Sequence, residues 1–128
     1  MDEISLGVPQ PILDSLPEGS EAAEQDMMRA VGGIEASINR AIEGAEDEQE
    51  AVGAVADALE QLEENYETYD EFVPELRAWG QSPIYAIAWR NLQADLVAQL
   101  YEVEWLAERL DRERNARLVE DGIRFGDR

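Results

Sequence analysis

The sequence predicts an all-α protein: an antiparallel helical hairpin followed by a long third helix, as a three-helix bundle or a coiled-coil-like arrangement, with an extended N-terminal arm. Three observations carry that prediction. Ala, Glu, Leu and Arg supply 59 of the 128 residues, a composition of long helices rather than sheets. Apolar residues recur at spacings of three and four after residue 20. The interval from Ile84 to Leu118 contains neither Gly nor Pro, so nothing local interrupts a helix there.

Residues 1–19 form the arm. They contain Pro9, Pro11 and Pro17 and two Gly, which forbids a regular helix, yet Ile4, Leu6, Val8, Ile12, Leu13 and Leu16 make the segment too apolar for a disordered tail. Such a segment packs on its own bundle or on a neighbouring chain. The bundle itself spans 20–119, and residues 120–128 are a short C-terminal tail.

The first helix is expected over 20–44. Ser20 is a good N-cap, and Glu21 and Glu24 favour the positive end of the helix dipole. Its stripe is Met27, Val31, Ile34, Ile38, Ala41 or Ile42, and Ala45. Gly32-Gly33 inside it signals a kink or a close backbone approach. The second helix, 47–72, opens on a capping box of Asp47 and Glu50 and carries Val52, Val55, Leu59, Leu62, Tyr66 and Tyr69 at 3-4-3-4-3 spacing. It should end near Val73-Pro74, because the residue before a proline is driven out of helical geometry. Residues 74–81 make at most a turn of helix, closed by Gly80.

Ser82-Pro83 then opens the third helix, 83–119, with the stripe Ile84, Ala88, Leu92, Leu96, Leu100, Val103, Leu106 and Leu110. At 1.5 Å per residue it would be about 50 Å long and project from the bundle. A second apolar set, Tyr85, Trp89, Val97, Tyr101 and Trp105, cannot share that stripe. The apolar surface is therefore too wide for one partner helix. Eight of the nine aromatics fall between positions 66 and 105.

Thirty acids oppose ten arginines, a formal charge of −20, and the chain has no Lys, His or Cys. Disulfides, the usual zinc and haem sites, Ser-His or Cys-His nucleophiles, P-loops and Schiff bases are thereby excluded. Charge is segregated: residues 1–76 carry −19, whereas 109–128 carry +1 with six arginines, Arg109, Arg112, Arg114, Arg117, Arg124 and Arg128. So acidic a body repels itself in dilute buffer and becomes tolerable at molar salt, where the Debye length is about 3 Å. That points to a halophilic cell or its virus. Phosphate binding needs a clustered positive surface, so nucleic acid is not expected as a direct partner. No stretch reaches the ~20 apolar residues of a membrane span, and Met1-Asp2-Glu3 lacks the basic start of a signal peptide. A cytoplasmic protein, or a component of a virus particle, is expected.

Three functional readings follow. The first is a non-enzymatic subunit of a larger assembly, such as a connector, neck or tail-associated virion protein, without cofactor or metal. Its partners are other proteins or copies of itself, and a homo-oligomer is expected. Its interface would use the arm residues Ile4, Leu6, Val8, Ile12, Leu13 and Leu16 docked on another subunit. At least one of Trp89, Tyr101 and Trp105 would be buried between chains, with Arg109, Arg112 and Arg117 giving register against the next copy's acidic face. The second is an acidic regulator or nucleic-acid mimic occupying a basic surface. The third comes from carboxylate pairs: Glu43-x-x-Glu46 with Glu67-x-x-Asp70, and also Glu60-x-x-Glu63 and Glu108-x-x-Asp111, resemble the magnesium motifs of MazG-type nucleotide pyrophosphohydrolases. That resemblance implies an all-α magnesium enzyme. Trp79-Gly80 and Tyr66-x-x-x-Asp70 do not reproduce the order of the WXG-type secreted hairpins, and no family is assigned.

Overall fold

The computed structural model of the protein describes the backbone of residues 2–126 and the side chains of residues 2–121. Five helices and no strand occur among the described residues: α1 (Gln10–Asp14), α2 (Glu21–Glu43), α3 (Glu48–Ala78), α4 (Ile84–Tyr101) and α5 (Ala107–Gly126). Helix α3 is the central element, meeting α2, α4 and α5, with its most extensive packing against α4. Along their facing stripes Met27, Val31, Ile38 and Ile42 of α2, Val52, Val55, Leu59 and Leu62 of α3, and Ala88, Leu92, Leu96 and Leu100 of α4 are buried in one core.

The hairpin of α2 and α3 follows its local signals. Asp47 Oδ1 accepts the Glu50 N–H at 2.8 Å, and Glu50 Oε2 reaches back to the Glu46 N–H at 3.3 Å, one residue before the position a full capping box would use. Ser20 sits at the start of α2 without capping it. Its hydroxyl instead meets the Tyr85 hydroxyl at 2.9 Å, tying the starts of α2 and α4 together.

The prolines of residues 1–19 were expected to bar regular helix, yet Gln10–Asp14 form the short α1, with Pro11 in its first turn where a missing N–H costs nothing. Three further expectations are revised. Helix α3 does not stop at Val73-Pro74 but continues to Ala78. Proline there removes one hydrogen bond, to the Asp70 carbonyl, and Val73, buried at 5% exposure, holds the last turns in place. Gly32-Gly33 marks neither a kink nor a close approach. Helix α2 is continuous through it, and a Cβ on either glycine would meet nothing within 4 Å. Gly33→Ala should therefore raise the unfolding free energy by about 0.5–1 kcal/mol through reduced freedom of the unfolded chain, read as a higher urea midpoint at unchanged slope.

The third revision is the largest. The single helix expected over 83–119 is two helices, broken at residues 102–106. Val103 N–H bonds to the Leu100 carbonyl at 3.3 Å and Leu106 N–H to the Val103 carbonyl at 3.0 Å, tight turns that redirect the chain. Leu106 and Leu110 are thereby fully buried in the common core, which a straight, projecting helix could not achieve. Both segments pack on α3, α4 more extensively than α5, so the break lets the chain turn and lay a second helix against the same central element. Helix α5 runs on through residues 120–126, where a short tail was expected, and residues 127–128 lie outside the described residues.

Candidate interaction surface

The arm residues lie against their own chain. Ile4, Ile12 and Leu16 are buried, and Leu6, Val8 and Leu13 are half-buried. The Asn39 amide grips the Ile4 backbone at both ends: its Oδ1 accepts the Ile4 N–H and its Nδ2 donates to the Ile4 carbonyl, each at 2.8 Å. Gln99 of α4 holds Gly7 in the same way, at 3.0 and 2.9 Å, and Glu35 accepts the Leu6 N–H at 2.7 Å. Docking of these side chains on another subunit was expected; the structure instead spends most of them on α2 and α4 of the same chain. Asn39→Ala should free residues 2–9, read as faster amide exchange there and earlier proteolytic clipping with the helices intact.

The arginines of α5 are likewise engaged within the chain. Arg109 pairs with Glu48, Arg112 with Glu108 at 2.6 Å, and Arg114 with Glu63 while donating to the Tyr101 hydroxyl at 3.1 Å. Arg117 bridges Asp57 and Glu60, both at 2.9 Å, and Glu113 at 3.0 Å. The hydrogen bond that Arg114 donates to Glu63 raises its pKa above the ordinary value. The one Arg117 donates to Glu60, followed by those to Glu113 and Asp57, does the same for Arg117 against the opposing effect of burial. The hydrogen bond accepted from Arg112 lowers the Glu108 pKa. Register against a neighbouring copy was the expected role of Arg109, Arg112 and Arg117; in the structure Arg109 and Arg117 fasten α5 to α3, and Arg112 serves its own helix. The side chains of Arg124 and Arg128 lie outside the described residues.

Trp89, Tyr101 and Trp105 are half-buried against the core of their own chain, with Trp89 stacked on Tyr69 at 6.2 Å between centroids. Among the described residues the exposed aromatics are others, gathered at the end of the α3–α4 hairpin: Phe72 (43% exposed), Trp79 (63%) and Tyr85 (42%). Their placement is set by the turn. Gly80, at φ 74°, takes the left-handed position after α3; its N–H bonds to the Arg77 carbonyl at 3.0 Å and the Gln81 N–H to the Leu76 carbonyl at 2.9 Å, a Schellman closure. That closure leaves the Trp79 indole edge-on to the Phe72 ring, 6.1 Å away at 89°. Beside them Arg90 is drawn across α3, bonded to Asp70 at 2.9 Å and lying 5.9 Å over the Tyr66 ring. Glu67, Glu71 and Glu75 stand exposed on the same stretch of α3. The clustering of aromatics between 66 and 105 was visible in the sequence. Which of them face solvent depends on how far α2 and α5 reach along α3, and periodicity does not carry that.

One further side chain was missed. Gln93 of α4 is 4% exposed, and its Oε1 is buried without a hydrogen-bond partner. The signal was an interruption: Trp89, Val97 and Tyr101 lie at fourfold spacing, and the vacant step between the first two is Gln93.

The carboxylate pairs do not converge. Glu43 ends α2 and Glu46 lies in the following loop, whereas Glu67 and Asp70 sit about 30 Å along α3 from its start at 1.5 Å per residue. Glu60, Glu63 and Glu108 are held by arginines. Among the described residues no group of three or more potential metal ligands occurs, and no helix is long and apolar enough to cross a membrane.

Against known proteins, a family model spans residues 1–127 and describes a family of unknown function (DUF7971). No curated protein and no solved structure matches the chain.

Proposed function

The chain therefore belongs to the DUF7971 family, whose function is unknown, and we propose that it is a non-enzymatic interaction protein, a subunit of a larger assembly that seats the end of its α3–α4 hairpin on a basic partner. The observation that carries this reading is the exposure of Phe72, Trp79 and Tyr85 amid the exposed carboxylates Glu67, Glu71 and Glu75. Exposed aromatics of this kind anchor interfaces, because large rigid rings bury area at small entropic cost, while surrounding acids steer a cationic partner and repel an anionic one. A second copy of the chain is a poor occupant, since it brings the same −20 charge and has Arg109, Arg114 and Arg117 already committed to α3. Leu118 and Val119, exposed on α5 at 67% and 61%, favour self-association as the second reading.

The test uses two amphipathic helical peptides with one apolar face between them, one lysine- and arginine-bearing, one glutamate-bearing. The basic peptide should bind with a blue shift of tryptophan emission, and Phe72→Ala with Trp79→Ala should weaken binding about tenfold or more, as for interface anchors elsewhere. Equal binding of the acidic peptide, or a shift that survives Trp79→Ala, removes the proposal. A mass above that of the monomer at both low and molar NaCl, lost in Leu118→Ser, favours self-association.

A further inference from the structure

Between α3 and α4, about one and a half turns of α3 from Phe72, lies a groove of about 370 Å³ lined by Leu62, Glu63, Tyr66, Glu67, Gln93, Ala94 and Val97. Its floor is apolar, its rim carries the exposed Glu67, and it contains a side chain that the fold leaves dissatisfied. An amide oxygen buried without a donor loses its hydration for no return, so natural cores rarely keep one without a purpose. Here the amide lies in an otherwise apolar stripe, where a leucine or methionine would pack at no such penalty. No described side chain supplies the missing donor. Two guanidinium groups border the groove without reaching the amide: Arg114 is bonded to the lining Glu63, and Arg90 is bonded to Asp70 while lying over the Tyr66 ring.

The geometry points to this groove as the socket for an arginine side chain of the basic partner. The proposal rests on the reading above and names the residue by which that partner is gripped. The methylene stem lies along Leu62, Ala94 and Val97. The guanidinium meets Glu67 and donates to Gln93 Oε1, which the broad terminal torsion of glutamine turns toward the groove. A guanidinium suits the site better than an ammonium because its planar fork of five N–H groups addresses a carboxylate and an amide oxygen together and lies flat on an aromatic ring. The Tyr66 ring already accepts one guanidinium in this manner, that of Arg90 at 5.9 Å.

The experiment titrates the intact, ¹⁵N-labelled protein with N-acetyl-arginine amide, N-acetyl-lysine amide and N-acetyl-norleucine amide. The arginine derivative should give saturable shifts of the Gln93 side-chain NH₂ and of the Tyr66, Ala94 and Val97 amides, with the lysine derivative about fivefold weaker for want of the planar fork and the norleucine derivative silent. Gln93→Leu should abolish the saturable response while raising the melting temperature, because the orphaned oxygen is gone. Glu67→Gln should weaken the response several-fold at unchanged melting temperature, and it decides the matter if Gln93→Leu does not fold. Equal responses to arginine and lysine, shifts that grow linearly over the whole acidic surface, a saturable response that persists in Gln93→Leu, or one undiminished in Glu67→Gln overturn the socket. Peptide binding reported by Trp79 is a separate readout: if it persists while the socket fails, the interaction reading stands without this anchor. If it vanishes too, both fall.

Discussion

Leu106→Ala and Leu110→Ala should each lower the unfolding free energy by about 2–5 kcal/mol, the cost of emptying a fully buried leucine site in a packed core. Both side chains are at 0% exposure although they stand in a stretch without a sequence break. Leu118→Ala, on the same helix as Leu110 but two-thirds exposed, should change stability by less than about 0.5 kcal/mol. The contrast tests the fold-back of α5 directly. On a continuous, projecting helix all three leucines would lie near solvent and the substitutions would be nearly equivalent. Urea titrations followed by far-UV circular dichroism give the measurement, with the shift of midpoint at constant slope as the quantity compared.

Raising NaCl from 0.1 M to 1 M should increase the melting temperature by about 10 °C, equivalent to about 2–3 kcal/mol for a domain of this size. The Debye length contracts from about 10 Å to about 3 Å over that range, which screens the mutual repulsion of the acids on α2 and α3. Salt also weakens the arginine pairs between α5 and α3, but these pairs are substantially solvent-exposed and such pairs are worth at most about 1 kcal/mol each. With a formal charge of −20 the repulsive contribution dominates. Replacing Glu64, Glu71 and Glu75 by Gln should flatten the dependence. A melting temperature that falls with salt would make the α3–α5 pairs the controlling interaction and remove the argument for a high-salt setting.

Helices α2 and α3 were legible because local and tertiary preferences agree there. Their 3-4 spacing, the Asp47 cap and the short loop all demand one hairpin. Pro74 misled because a local preference was set against burial of Val73, and near the end of a helix one lost hydrogen bond is the smaller effect. The break at 102–106 left no local mark: Tyr101-Glu102-Val103-Glu104-Trp105-Leu106 contains no breaker, and only the doubled apolar width of the predicted helix hinted that two directions of packing were needed. The aromatic end was half visible. Its composition was evident, but exposure of Phe72 and Trp79 follows from the Gly80 turn and from the lengths of the flanking helices. Arginine pairing across α3 and α5 was hidden for the same reason as the break, since a continuous helix would have carried those side chains past their partners.

The arrangement of α5 also governs the order in which the protein can be completed. Its partners, from Glu48 to Glu63, are synthesised 51 to 61 residues earlier, and they emerge as an acidic face with no cations opposite. While the nascent chain stops short of residue 106, the site that Leu106 and Leu110 fill is vacant and the hairpin of α2 and α3 is held only by α4 and the N-terminal residues. Helix α5, synthesised after its partners, thus supplies both the closing apolar contacts and the counter-charges. A chain truncated before α5 would present to the quality-control machinery an open core flanked by unmatched carboxylates.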